Sequence, residues 1–460
     1  MITLTGKYNT ADIMIDDVES GTIAQIVEFI NHPCFVGEKI VIQADCHQGK
    51  GSPVGFTMPL TGKSVGPAII GCDIGCSILS YNVGQPEIDY EKVHHVIEQR
   101  IPHGINTHNN AIINMDKEFP WKKLQVKAQH FAQAWERKFN EKIYEHIPTY
   151  NDRWFVNKCE QIRINIGKAR NSLGTLGGGN HFIEIDKAPN NDLWLTIHSG
   201  SRNLGLKVYE YWINHGYTKT KTVSKDVIQQ EIIEARNAAD TYEAKRKLSV
   251  KIKEIKAKYK MGDSLKKDLT FLEGEDMYGY LFDMLFCQEY ASINRELMAK
   301  ILFDYFKWDH TERIETVHNY INFEDMIVRK GSISAHDGER VIIPFNMEFG
   351  VAICKGKGNP AFNFSGPHGA GRLFSRSHAK KTLDLELFKE RMKDVNSWCV
   401  NKSTLDESPM AYKDPQVILD HIGPTVDVEF IMKPVFNFKD CSDEMTWAER
   451  RQKIKELKKS

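Results

Sequence analysis

The sequence predicts an α+β fold carrying one helical insertion. Two observations predict it. Short apolar runs separated by glycine-rich turns occur over residues 39–81, around 182–198 and from 306 to 438, the pattern of strands closed by tight loops. Between them lie stretches of helical period over 90–147 and from about 215 to 305, the second rich in lysine and glutamate.

Taken in order, Lys39–Gln43 and Ile78–Asn82 read as strands, so the polar residues between them fall at strand ends and in loops. A His- and Asn-rich break near 103–110 divides the first helical stretch. Phe182–Asp186 and Leu193–His198 read as a hairpin, which puts His181 and His198 at the same end of a sheet. The 215–305 stretch, interrupted near 261–263 and 272–275, is expected to be a solvated helical arm with charges spaced i,i+4. A basic, amphipathic helical tail is expected over 441–460. No internal repeat or low-complexity segment stands out.

Lys+Arg 61 against Asp+Glu 61 makes the 460-residue chain formally neutral, so any nucleic-acid binding has to come from a focused basic groove. Nine dispersed cysteines do not make a disulfide framework and suit a reducing, cytoplasmic setting. No signal-peptide pattern and no long apolar run is seen, and neither secretion nor a membrane span is expected.

Five islands carry the chemistry: Asp45-Cys-His47, Cys72-Asp-Ile-Gly-Cys76, Gly177-Gly-Gly-Asn-His181, His198-Ser-Gly-Ser-Arg202 and Pro367-His-Gly-Ala-Gly-Arg372. Thiol, imidazole and carboxylate together suit zinc, manganese, iron or cobalt better than calcium or magnesium. Asp73 and Cys76 can meet across one turn. Glycines allow a backbone to approach a phosphate closely. Arg202 can grip phosphate or carboxylate with two bonds. His368, set between a proline and glycines, can be a metal ligand, a general base or a nucleophile, and the neighbouring Arg372 favours attack on phosphorus. A buried metal-and-phosphate site is the reading of these islands together.

These islands, with Gly174-Thr-Leu-Gly-Gly-Gly-Asn-His-Phe-Ile-Glu184, Val328-Arg-Lys-Gly331 and Ala411-Tyr-Lys-Asp414, resemble the motifs of the RtcB family of RNA-splicing ligases, in the same order over roughly 40–440. The resemblance implies a catalytic unit over 1–440, with a mixed β-sheet core, surrounding helices and the insertion within it. It also implies joining of RNA 3′-phosphate or 2′,3′-cyclic phosphate ends to 5′-hydroxyl ends, in RNA repair or tRNA splicing, using GTP and two Mn2+. Asp73, Cys76 and His181 would hold one ion, and Cys76, His198 and His318 the other. His368 would become guanylylated. Asn180, His181, Phe182, Ile183, Glu184, Asn319, His368, Gly369, Ala370, Gly371 and Lys439 would line the nucleotide site. Asp45 would support it, and Arg202, Lys330 and Arg372 would meet phosphate.

One departure is plain. The family's Pro-Gly-Ser-Met-Gly-Thr loop around the guanosine is replaced by Pro344-Phe345-Asn346-Met347-Glu348-Phe349-Gly350, a change that bears on nucleotide affinity and choice. That loop favours the alternative of a metal-dependent phosphoesterase on RNA ends. A non-catalytic RNA-end-binding protein would instead lack ligands, and none is missing. RNA ends and an archease-like activator are the expected partners of an expected monomer.

Overall fold

A computed structural model describes residues 1–239, 247–253, 255 and 267–441. The tail expected over 441–460 therefore lies outside the described residues beyond Cys441. The fold is α+β. Its first sheet has six strands in the order Ile2–Thr5, Thr10–Ile13, Ile40–His47, Val54–Pro59, Ile327–Lys330, Asn319–Asn322. One pair in it is parallel, Thr10–Ile13 with Ile40–His47, and the rest are antiparallel. A second sheet of seven antiparallel strands runs Glu312–Val317, Ser77–Gly84, Leu193–Ser199, Phe182–Lys187, Val426–Phe438, Gly350–Gly356, Arg340–Asn346. Phe182–Lys187 and Leu193–Ser199 form the hairpin expected from their alternation, Phe182 pairing with His198.

The two sheets are joined directly. Strand Glu312–Val317 belongs to the second and Asn319–Asn322 to the first, so His318 is the single residue at which the chain passes from one to the other. Strand Ile40–His47 is buried along nearly its whole length, as a central strand covered on both faces must be, and it carries Gln43 and Asp45 inside with its apolar residues.

The expected solvated helical arm over about 215–305 is corrected at its second half. Helix Gly274–Phe306 is a core element: Tyr280, Phe282, Met284, Phe286 and Tyr290 are fully buried, and Phe282 packs edge-on against Phe131 of helix Trp121–Phe139. Met277-Tyr-Gly-Tyr-Leu-Phe-Asp-Met-Leu-Phe-Cys287 is apolar around the whole circumference, and a helix of that kind has no face to give to water. Its few polar groups are paired inside, Asp283 accepting from both Lys158 and Trp212.

This helix holds the ends of other elements. Arg295, 1% exposed, donates to the carbonyls of Gly75 at 3.0 Å and Ser199 at 2.6 Å and pairs with Glu315 at 2.6 Å. Asn294 donates to the carbonyls of Thr175 and Gly200 and accepts from the Thr175 N–H. Burial would raise the Glu315 carboxyl, but Arg295 and Arg313 outweigh it and hold it at about 2. Replacing Arg295 by Met leaves Glu315 with half its compensation and two buried carbonyls unpaired. Such a loss costs about 3–5 kcal/mol, and a clear fall in the thermal unfolding midpoint is expected; an unchanged midpoint would rule out the clamp.

Candidate functional site

Register brings the donor groups together. Ser77 pairs with Ser199 and with Val317, and His198 lies between Ile78 and Phe182. Cys76 therefore enters its strand, His181 enters the next but one, His198 nears the end of the strand between them, and His318 leaves the fourth, all at one edge of the sheet. Since neighbouring strands lie about 4.8 Å apart, side chains at that edge converge. Cys76 Sγ is 3.2 Å from His198 Nε2 and 3.6 Å from His181 Nε2. His198 Nε2 is 3.2 Å from His318 Nε2, and His181 Nε2 is 3.0 Å from Asp73 Oδ2. The ligand atoms of Cys76, His181 and His198 all fall within 4.8 Å of one another, and the three residues are buried.

The second nitrogens fix how the rings are used. His181 Nδ1 donates to the Leu176 carbonyl and His198 Nδ1 to the Asn180 carbonyl, each at 3.0 Å, so both Nε2 lone pairs face the cluster. Burial, reinforced by neighbouring cationic groups, holds His198 and His318 well below the usual imidazole range, so both are neutral. Burial would raise the Asp73 carboxyl, but hydrogen bonds and charge from His181, with Cys76 and Arg202, hold it at about 2. Gly200 is needed here, since a Cβ would overlap the Asp73 carboxylate.

Such a set fits a divalent transition ion. Burial keeps the Cys76 thiol protonated in isolation, and a metal deprotonates it outright. His318 Nδ1 is buried with no hydrogen-bond partner among the described residues. Either that nitrogen is an orphaned donor and two Nε2 lone pairs face each other, or it is an orphaned acceptor. A cation between the Nε2 atoms removes the repulsion in the first case.

His368 stands over this cluster, its ring centroid 5.0 Å from that of His318. It follows strand Ser365–Pro367, which pairs with Ser332–Ser334, and its Nδ1 is 2.5 Å from Asp45 Oδ2. The same oxygen accepts the backbone N–H groups of His368 and Gly369 at 3.0 and 3.1 Å. Asp45, with no exposed surface on strand Ile40–His47, thus holds ring and backbone together and leaves Nε2 as the available nitrogen. Gly371, at φ +75°, lies so close to the Asp45 carbonyl that a Cβ would overlap it. Burial pulls the neighbouring His47 down to about 4, which makes it neutral.

An open cleft of about 780 Å³ begins at His198, His318 and His368. Of the residues expected around a nucleotide, Asn180, Phe182, Glu184, Pro344, Phe345, Asn346, Met347, His368, Gly369, Ala370, Gly371 and Lys439 line it. Ile183 does not. Strand alternation turns it away from Phe182 and Glu184 into a hydrophobic cluster, where it is fully buried. Asn319 spends its side-chain oxygen on the Gly331 N–H. Lys330 donates to the carbonyls of Lys50, Ser52 and Ala68, with burial bringing it down to about 8, and Arg202 donates to the Gly104 carbonyl and Thr175 Oγ1. Neither basic residue lines the cleft.

Sequence reasoning missed the centre of the opposite wall, Glu407. This carboxylate, 3% exposed, accepts from Arg372 at 3.1 Å, Lys439 at 3.2 Å and Tyr412 at 2.7 Å, and pairs also with Arg376. Asp406 adds a second bond to Arg376 at 2.8 Å. Lys439 Nζ lies 5.3 Å above the Phe182 ring. Burial would raise the Glu407 carboxyl, but Lys439, Arg376 and Arg372 hold it well below the usual range. An acidic pair between two basic motifs was its only trace in the sequence. At the cleft floor, burial pushes the Glu184 carboxyl up, and burial together with the Glu184 charge does the same to Asp186 behind it. Asn437 donates to Glu184 at 2.5 Å.

The altered 344–350 loop is a tight hairpin turn in which Asn346 Oδ1 accepts the N–H groups of Glu348 and Phe349. Phe345 and Met347 are 3% and 4% exposed, anchoring the turn in two separate apolar clusters. The new carboxylate, Glu348, pairs with Arg391 at 2.5 Å and is not among the cleft-lining residues.

Residues 25–440 match the family model described as tRNA-splicing ligase RtcB. The chain is 28% identical over 456 residues to the RNA-splicing ligase RtcB of Escherichia coli (strain K12), covering 91% of this chain and 94% of that protein. It is 24% identical over 461 residues to the tRNA-splicing ligase RtcB of Nanoarchaeum equitans (strain Kin4-M), covering 86% and 85%.

Because the Glu407 carboxyl is held down in the folded state, its ionisation stabilises the fold above the ordinary glutamate range, about 4.3, and that contribution is lost as pH falls below it. Glu407→Gln is expected to cost about 3 kcal/mol at pH 7, with the difference from the parent protein narrowing in urea titrations taken below about pH 4. A gap of constant size across that range would contradict the ionic role.

Proposed function

The chain belongs to the RtcB family, and from that premise we propose that it is a GTP- and manganese-dependent RNA ligase. It would join an RNA 3′-phosphate or 2′,3′-cyclic phosphate end to a 5′-hydroxyl end, in RNA repair or tRNA splicing. The observation that carries the reading is the Asp45–His368 pair, a buried carboxylate fixing one imidazole nitrogen beside a Cys/His metal cluster.

His368 Nε2 attacks the α-phosphate of GTP, forming a P–N bond as the P–O bond to pyrophosphate breaks. The Nδ1 proton stays in the Asp45 hydrogen bond, where the carboxylate stabilises the positive charge that the ring acquires. A 2′,3′-cyclic end is first opened by water, which breaks the P–O2′ bond and leaves a 3′-phosphate and a 2′-hydroxyl; an oxygen of the 3′-phosphate then takes the guanylyl group from nitrogen, and the 5′-hydroxyl displaces GMP. Two manganese ions, one on Asp73, Cys76 and His181 and one on Cys76, His198 and His318, would supply charge neutralisation at the phosphoryl oxygens. Glu184 and Lys439 stand in the cleft to read the base, with Phe182 beneath the ammonium. Arg376, its side chain 43% exposed beside Gly179, is placed for an anionic group as well as Arg372.

The changed loop was the argument for a phosphoesterase, and the ion pair of Glu348 with Arg391 removes its main force, a repulsive carboxylate beside the nucleotide. An archease-like activator, a cytoplasmic location and a monomeric state are part of the same proposal. No helix among the described residues is long and apolar enough to cross a membrane.

Incubation with manganese and α-labelled GTP is expected to give acid-labile, base-stable label on the protein. His368→Ala should abolish the label and keep the metal content of the parent, whereas Cys76→Ala should lose metal and label together. Equal metal loss in both variants would overturn the division of roles, and absence of label from metal-loaded parent protein, even with an activator, would favour the phosphoesterase.

A further inference from the structure

We infer that Cys399 and Cys441 are a thiol pair built to close into a disulfide under peroxide, directly behind the strand end that carries Lys439. Its formation stands apart from the proposed function; its effect on activity rests on that reading.

The two sulfurs are brought together by the last turn of the sheet. Strand Val426–Phe438 delivers Lys439 to the cleft, and Cys441 follows two residues later. Cys399, fully buried, lies under this segment: its Sγ donates to the Lys439 carbonyl at 3.1 Å and stands 3.5 Å from the Lys439 N–H. Cys441 is partly exposed and packs on the same apolar cluster as Cys399. Ser403 Oγ donates to the Cys441 carbonyl at 3.1 Å, fixing the two segments to each other. The two side chains share one apolar cluster at the same strand end, and they differ in the way the two partners of such a reaction must, Cys399 being fully buried and Cys441 partly exposed. The nearness of Cys441 and burial push the Cys399 thiol up, while the nearness of Cys399 and of His103 pulls the Cys441 thiol down. His103 is itself raised by its 2.8 Å bond to Asp440.

Those differences assign the roles. The accessible sulfur, Cys441, attacks the oxidant as its thiolate and the buried one, Cys399, resolves the product. With a hydroperoxide, the Cys441 thiolate breaks the O–O bond and becomes a sulfenic acid, the peroxide leaving as water or alcohol after taking a proton. The Cys399 sulfur then displaces hydroxide from Cys441, and with the Cys399 proton it leaves as water. One S–S bond is formed, two thiols are oxidised and one peroxide is reduced. The reaction removes the S–H that the Lys439 carbonyl accepts and binds the strand end covalently to the segment preceding Glu407. Lys439 is thereby constrained from behind while Glu407 holds its ammonium in front. A buried carbonyl left without its donor is costly, and the Lys439 side chain is expected to be displaced from the cleft.

The test uses the full, metal-loaded chain, reduced, freed of reductant and treated with hydrogen peroxide. Alkylation, digestion and mass spectrometry are expected to reveal a Cys399–Cys441 linked peptide pair. Label from α-labelled GTP is expected to fall at least about fivefold and to return with dithiothreitol. Cys441→Ser should keep its label after the same treatment, and Cys399→Ala should instead accumulate a sulfenic acid on Cys441 that dimedone traps. Absence of the linked pair at peroxide doses that oxidise other thiols overturns the inference, as does an equal loss of label in Cys441→Ser. If reduced parent protein takes no label, the proposed function fails while the linked peptide still decides this inference.

Discussion

The strand register at one edge of the seven-stranded sheet is the constraint on which the rest depends. Ser77 must face Ser199 and Phe182 must face His198 for Cys76, His181, His198 and His318 to meet. Strand side chains alternate with a period of two, so a slip of one residue would turn His198 to the opposite face and send Ile197 into the cluster. Hydrophobic alternation makes that slip costly, because Leu79, Ile183, Leu195 and Ile197 belong to one buried cluster on the other face. The same pattern that builds the core therefore sets the donor geometry. His318 adds the second sheet to this arrangement, since the chain changes sheets at that residue and carries the ring between the sulfur side and the His368 side.

Keeping that edge in place has consequences for stability. Three buried imidazoles and a buried thiol bring little cohesion of their own, and His318 leaves a ring nitrogen unpartnered among the described residues. Compensation comes from outside the cluster. Arg295 ties Gly75, Ser199 and Glu315, the stretches next to Cys76, His198 and His318, and Asn294 does the same for Thr175 and Gly200. The near-complete burial of residues 277–287 anchors the helix that places these two side chains.

Much of this was legible in the residues. Glycines beside Asp, Cys and His mark places where backbone and ligand approach closely, and the alternation in 182–198 gave the hairpin and the shared end of His181 and His198. The buried helix was missed because the lysines and glutamates before residue 270 coloured the whole 215–305 stretch, although 277–287 is apolar on every face. Glu407 had no such mark. Its role arises from cations supplied by 372, 376 and 439, far apart in sequence, and a carboxylate acquires that meaning only when the fold encloses it. Lys330 and Arg202 illustrate the converse. A basic residue in a glycine-rich motif invites a phosphate role, yet both side chains satisfy backbone carbonyls that the tight turns leave without partners.

The cleft's two walls differ in what they offer a ligand. Recognition of an anionic ligand depends on the charge left over after internal pairing, and on the Glu407 wall three cations, Arg372, Arg376 and Lys439, share Glu407 and Asp406. The surplus is positive and faces the opening beside His368. Across from it, the 344–350 turn contributes shape more than charge, since Glu348 is neutralised by Arg391 and Phe345 and Met347 point into apolar clusters. Replacing a small residue by a large one in such a turn is tolerated when the new side chain, here Phe345, fills the core behind it. Phe345 and Met347 still border the cleft while packing into those clusters, and the Asn346 side chain between them is occupied in closing the turn. Glu184 and Lys439 face the cleft beyond that turn, held by Asn437 on one side and by Glu407 on the other.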